Sequence, residues 1–103
     1  MATSDCILRP GEANGTQIND LGATTASSVQ NVGKNYVFVI VAVQAVTIRF
    51  GVIDAVTDPN AASFLIPANT PMTFDTGEQF SAFKVFNTAG TTTDIHYLRL
   101  TIF

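Results

Sequence analysis

Hydrophobic residues alternate with polar ones through most of the chain beyond position 35. Val46, Ile48, Phe50 and Val52 share one parity and Thr47, Arg49 and Gly51 the other, the period of a half-buried strand. Positions 36–43 differ: Tyr36, Val37, Phe38, Val39, Ile40, Val41, Ala42 and Val43 are apolar at both parities. A strand apolar on both faces needs cover on both, from its own fold or from a neighbouring subunit. Phe64-Leu65-Ile66 predicts a short strand closed by Pro67, and Met72 and Phe74 another, before the turn Asp75-Thr76-Gly77. Phe80, Ala82, Lys84 and Phe86 oppose Phe83 and Val85. Beyond a hairpin loop at 87–93, Ile95, Tyr97, Arg99, Thr101 and Phe103 oppose His96, Leu98, Leu100 and Ile102.

Turn signals such as Asp58-Pro59-Asn60 and Ala68-Asn69-Thr70-Pro71 recur every 8–12 residues or so, and no window has helical spacing. The pattern predicts an all-β fold, an antiparallel β-sandwich of jelly-roll-like form with about seven to eight short strands. Residues 11–35 are polar and rich in Gly, Asn, Thr, Ser and Ala, so they read as a loop, an extended arm or a few weak strands. Positions 25–30 are suited to an edge strand. The expected organisation is an N-terminal arm over 1–23 and a single sandwich domain over 24–103.

Composition narrows the function classes. The chain has 103 residues, 47% hydrophobic, 13% charged, with net charge −3 and 14 threonines. Charge is about half the ~25% of ordinary globular chains, and five scattered basic residues make no footprint for nucleic acid. The apolar run of 36–46 is too short for a membrane-spanning helix, which needs about 20 residues. The first ten residues lack the pattern of a signal peptide, so folding in a cytoplasm is expected.

Candidate chemistry is sparse. Cys6 and His96 are the single residues of their kinds, and a nucleophilic pair would need Cys6 docked beside the last strand. Cys6 reads better as a small buried hydrophobe. Asp94 and His96 share one strand face, two ligands where a closed metal site needs more. Asp54 with Asp58, and Asp75 with Glu78, flank loops without an EF-hand spacing, and loop acids commonly bond to nearby backbone. The glycines are too widely spaced for a phosphate cradle. Eight of the ten aromatic residues are phenylalanine, placed mainly at alternating strand positions and read as core. No enzyme, cofactor or metal is expected.

The second apolar face of 36–43 makes oligomerisation the simplest expectation, because obligate interfaces resemble a core cut in half. The arm would then lie across a neighbour and add to its edge strand. The interface residues expected on these grounds are Cys6, Ile7, Leu8 and Val29 on the arm and its continuation, and Tyr36 and Phe38 on the apolar strand. Asp58 and Asn69 are expected in loops projecting together at one end.

The succession Ile48-Arg49-Phe50-Gly51, Phe64-Leu65-Ile66-Pro67-Ala68-Asn69-Thr70-Pro71 and Phe74-Asp75-Thr76-Gly77 resembles small β-sandwich virion proteins of tailed bacteriophages. The shared plan is a Ser/Thr/Ala-rich lead-in, a valine-rich strand, an "(I/V)RFG" strand, an "LPANTP" turn and a final hairpin. It runs here over roughly four-fifths of the chain. Arg49, Pro67 and Gly77 match the pattern, with roles in turn geometry and strand pairing. The resemblance implies a non-enzymatic particle protein, most commonly a head decoration (cement) protein. Such a protein sits as a homotrimer on the capsid surface at threefold and quasi-threefold positions and clamps adjacent capsomers against packaged DNA. The implied partners are further copies of the chain and the major capsid protein, with neither nucleic acid nor membrane, and the implied location is the virion, assembled in the host bacterial cytoplasm. A low-copy neck, tail or fibre-base component is the alternative, and a host-glycan-binding module a more distant one.

Overall fold

A computed structural model describes residues 8–102. Among them are nine strands and no helix: β1 (Leu8–Pro10), β2 (Thr16–Leu21), β3 (Gln30–Asn31), β4 (Val37–Ala42), β5 (Val46–Gly51), β6 (Phe64–Ile66), β7 (Met72–Asp75), β8 (Ala82–Asn87) and β9 (Thr93–Ile102). They form two antiparallel sheets. One has β9 paired with β4 and β4 with β7, while β1 and β2 both pair with the other edge of β9; the second has the order β3-β8-β5-β6. Strands β2 to β9 thus divide four and four between two facing sheets, the jelly-roll arrangement. The all-β sandwich follows from the alternation: with no helix-period segment, each strand must hide one face against the other sheet.

The core lies between the sheets. Phe38, Ile40 and Ala42 of β4 and Ile95 and Tyr97 of β9 face Val46 and Ile48 of β5, Ile66 of β6, and Phe83 and Val85 of β8. Phe38 stacks on Phe83 across the gap, ring centroids 5.0 Å apart and planes 4° from parallel. Tyr97 meets both rings edge-on. The expectation that the phenylalanines are core holds fully for Phe38 and Phe83, whereas Phe50, Phe74 and Phe86 are half-buried and Phe64 and Phe80 exposed. Phe38 is therefore corrected from an interface residue to an interior one. Even-numbered residues of β4 point inward, and its side chain is fully buried.

The expected boundary at residue 23 has no structural counterpart. β1 and β2 pair with β9 of their own chain, and Leu21 enters the core. These strands are hard to see in sequence because they form an edge interrupted twice. Gly11 bonds to the Arg99 carbonyl and Thr16 stands opposite Tyr97, so the edge strand carries three extra residues between them. The Glu12 carboxylate fills the break, accepting the Arg99 N–H at 2.8 Å. At the second irregularity Asp20 adopts φ 53°, and its N–H donates to the Asp94 carboxylate at 2.9 Å. Side-chain oxygens stand in for missing ladder carbonyls, which suits bulges at a sheet edge. At Gly15 a Cβ would come within 2.6 Å of the Tyr97 carbonyl oxygen, so only glycine admits this approach.

Threonine and asparagine stitch the remaining loops. Residues 25–31 run along β8 as an irregular edge, bridged at Ala26 and paired at Gln30 and Asn31, in the region expected for an edge strand. Buried Thr76 donates to the Gly33 carbonyl at 2.7 Å and accepts the Tyr36 N–H. Asn87, also buried, donates to the carbonyls of Leu21, Gly22 and Thr91 and accepts the Ala89 N–H. It joins the end of β2 to the β8–β9 loop and to the inner end of the second sheet. Asn87→Ala strips these groups of their partner, at about 1–3 kcal/mol for each one that water cannot reach. The expected loss is about 2–3 kcal/mol, read by urea unfolding; a loss below about 0.5 kcal/mol, the range of neutral surface changes, would count against this role.

Candidate functional site

The two outer faces of the sandwich are treated differently by the chain. On the second sheet, residues 52–63 fold back over the outer surface. Val56 and Pro59 are buried there, Thr47 donates to the Asn60 carbonyl at 2.8 Å, and Lys84 pairs with Asp58 at 2.8 Å. Thr47, at a polar parity position, is consequently fully buried. Among the described residues no comparable loop folds over the outer face of the first sheet. Val39 stands opposite Leu98 on one side and Thr73 on the other, and Val37 opposite Leu100. Directly opposed residues share a face, so Val39, Val41 and Leu98 make a half-buried apolar surface extended by exposed Val43, while Val37 beside them is buried. The bulge at residues 13–17 borders it, leaving a depression of about 440 Å³ beside Val39, Val41, His96 and Leu98.

A second apolar surface opens between β6 and β7, the free edges of the two sheets. The aromatic cluster that starts at Phe38 continues outward through Phe50 and Phe74, whose rings lie 5.4 Å apart. It reaches the surface at Phe64 and Phe80, which contact Phe74 and Phe50 respectively. These rings, with Ile48 and Arg49, line a groove of about 680 Å³. Eight large apolar side chains are exposed among the described residues: Val29, Tyr36, Val43, Val52, Ile53, Phe64, Leu65 and Phe80. Five of them, Tyr36, Val52, Ile53, Phe64 and Phe80, lie toward the end where β5 stops and β4 and β8 start. Bonds from the Val32 and Gly33 N–H groups to the Ser81 carbonyl, from the Ile53 N–H to the Ser81 hydroxyl and from the Asn35 N–H to the Gly77 carbonyl gather those loops there.

The expected interface residues are scattered over this surface. Tyr36 belongs to the aromatic end, where the Arg99 guanidinium sits 5.2 Å from its ring centroid. Val29 is exposed beside β3. Leu8 opens β1 opposite Ile102, while Cys6 and Ile7 lie outside the described residues. Asp58 and Asn69 do not project together. Asp58 is held over the middle of the second sheet by Lys84, whereas Asn69, at φ 55°, binds the far end of β4 through the Ala42 carbonyl. Loop length carries no signal for which way a loop folds back, and the covering role of 52–63 separates the two residues. The aromatic groove was missed because phenylalanine on an alternating strand reads as core. The signal available was an excess of such residues at the two short edge strands.

The polar candidates among the described residues stand apart from one another. His96 is exposed on the outer face, and Asp94 is engaged by the Asp20 N–H. Asp75 accepts the Gly77 N–H, a local turn contact. Among the described residues no three His, Cys, Asp or Glu side chains gather to hold a metal ion, and no helix is long and apolar enough to cross a membrane. No protein-family model, curated protein or solved structure matches the chain.

One titratable group is perturbed. Burial lifts the Tyr97 phenol above its ordinary value; the Thr16 hydroxyl opposes the shift, the Glu12 carboxylate adds to it and Arg99 opposes it. The phenol donates to Gln30 Oε1 at 2.9 Å, a hydrogen bond from the first sheet to the edge of the second. Because the folded pKa exceeds the unfolded value of about 10, the unfolded chain ionises first. Stabilisation is complete below about pH 10 and is lost as pH rises through the folded value. Tyr97→Phe is expected to flatten the alkaline limb of a stability–pH profile measured by chemical denaturation; an unaltered slope in the variant would refute this role.

Proposed function

We propose that this chain is a non-enzymatic structural protein of a tailed-phage virion, a decoration protein that self-assembles as a homotrimer and binds the outer capsid surface, clamping adjacent capsomers. The observation that carries the reading is the apolar surface the single chain leaves exposed at the aromatic groove and its end, at Tyr36, Val52, Ile53, Phe64 and Phe80, with half-buried Val39, Val41 and Leu98 on the outer face of β4 and β9. Contiguous exposed apolar patches are uncommon on monomers and mark surfaces meant for contact. The order of the Ile48–Gly51, Phe64–Pro71 and Phe74–Gly77 segments adds the resemblance to virion proteins. Jelly rolls serve as capsid and lectin domains alike, so the architecture is compatible with the reading without deciding it.

The mechanism is physical rather than chemical. Each copy adds a modest contact, and many copies bridging capsomers sum through avidity. A net charge of −3 suits docking by shape and apolar contact, without strong electrostatic steering. Quantitative mass spectrometry of purified particles tests the proposal. A ratio near one copy per major capsid subunit is expected. A ratio of a few per cent would move the protein to a neck, tail or fibre base and overturn the decoration reading, and absence from particles would overturn the virion reading entirely.

A further inference from the structure

The aromatic end of the sandwich carries both halves of a contact. The groove between β6 and β7 is floored by Phe50, Phe64, Phe74 and Phe80, with Arg49 at its rim. Arg49 is exposed and has no ion-pair partner among the described residues. The chain that leaves β5 forms, within a few residues of that groove, a projection of matching character. Val52 and Ile53 are exposed aliphatic side chains, and the next residue, Asp54, is an exposed carboxylate without a cation. The tip is rigid before any contact forms. Ala55 N–H closes a turn on the Val52 carbonyl at 2.9 Å, and Ile53 N–H is held by the Ser81 hydroxyl at 3.1 Å. A tip already held in shape loses little conformational freedom on docking.

We propose that the aromatic groove is the seat of a second copy of this chain, which inserts its Val52–Ile53 tip between Phe64, Phe74 and Phe80 and brings Asp54 against Arg49. Charge complementarity selects a second copy over an unrelated partner. Besides Arg49 at the groove and Asp54 at the tip, Lys34, Asp75 and Glu78 are further exposed charges, and none of the five is ion-paired among the described residues. A surface that presents an apolar tip with an acid beside an apolar socket with a base is complementary to itself. Such a contact closes reciprocally as a dimer or runs head to tail into a ring. The inference rests on the reading that the chain self-assembles, and it names the surface between copies. The valine face of the first sheet is then not that surface.

The test is a charge exchange on the full chain, with association followed by sedimentation equilibrium. Arg49→Asp and Asp54→Arg each place like charges opposite each other and are expected to weaken self-association by about tenfold or more. In an equimolar mixture every junction between unlike variants sets Asp against Arg, two such contacts in a reciprocal dimer, so the mixture is expected to recover association that neither shows alone. Both positions are exposed, and unchanged thermal unfolding at low concentration verifies that the fold is kept. Val41→Asp, on the valine face, is expected to leave association intact. A wild-type chain that stays monomeric would overturn the self-assembly reading and this inference together. An oligomer that ignores both exchanges, or that dissociates with Val41→Asp instead, would overturn the inference alone and leave self-assembly standing.

Discussion

The stack of Phe38 on Phe83 is the contact on which the two sheets depend. It joins β4 to β8, each internal to its sheet, and places two large flat rings face to face at van der Waals distance. An offset or parallel aromatic pair adds about 0.5–1.5 kcal/mol to the burial of its area. Its larger effect is geometric. With those rings fixed, Tyr97 can meet both edge-on, and its phenol reaches Gln30 across the β2–β3 side of the sandwich. On the other side Phe50 and Phe74 extend the cluster outward without a polar closure. The two sides of one barrel-like core therefore end differently, one tied by hydrogen bonds and one left as an aromatic groove.

Edges are handled by polar side chains rather than by length. The long strand β9 carries β1 and β2 in line along one edge, with Glu12 and Asp94 supplying acceptors where the ladder is broken. These carboxylates do the work of backbone carbonyls, and acidic groups at an edge also discourage pairing with stray strands. On the opposite edges, β6 and β7 are only three and four residues long, and the groove between them is where the rim charges remain without partners. The chain spends its loop 52–63 on covering the second sheet, whose outer face already includes Lys84 and Arg49. The more apolar outer face of the first sheet stays open.

This distribution of surface is what supports assembly as the reading of the chain. Two apolar areas differ in kind. The valine face is flat and belongs to regular sheet, whereas the aromatic end is a concave site beside a convex tip. A flat face adapts to many partners of low curvature; a tip and socket discriminate by shape and charge. The proposed decoration role asks a chain to hold both its own copies and a lattice, and two unlike surfaces would meet that demand by burial alone.

Alternation in β5, β8 and β9 determined the sandwich, because a strand with a period of two has only one way to hide its apolar face. The two-sided apolarity of β4 called for cover on both faces; its even-numbered residues enter the core, while Val39 and Val41 on the other face are half-buried. Other features depended on residues distant in sequence. Phe38 and Val39 are adjacent and equally apolar, yet pairing sends one into the core and the other to the surface. β2 reads as loop because Thr16, Gln17, Asn19 and Asp20 are polar; it becomes a strand only because β9 offers it a ladder and Asp94 repairs the break. Thr47 is buried and Asp58 held over the middle of a sheet for the same reason: 52–63 folds back onto β5 and β8, where the Thr47 hydroxyl bonds the Asn60 carbonyl and Lys84 pairs with Asp58. The sequence by itself determined which residues alternate and where the chain turns, since those are properties of neighbours along the backbone. Tertiary structure decided which phenylalanines were left over at the open edge, because burial is settled by what remains to pack against after the sheets have closed.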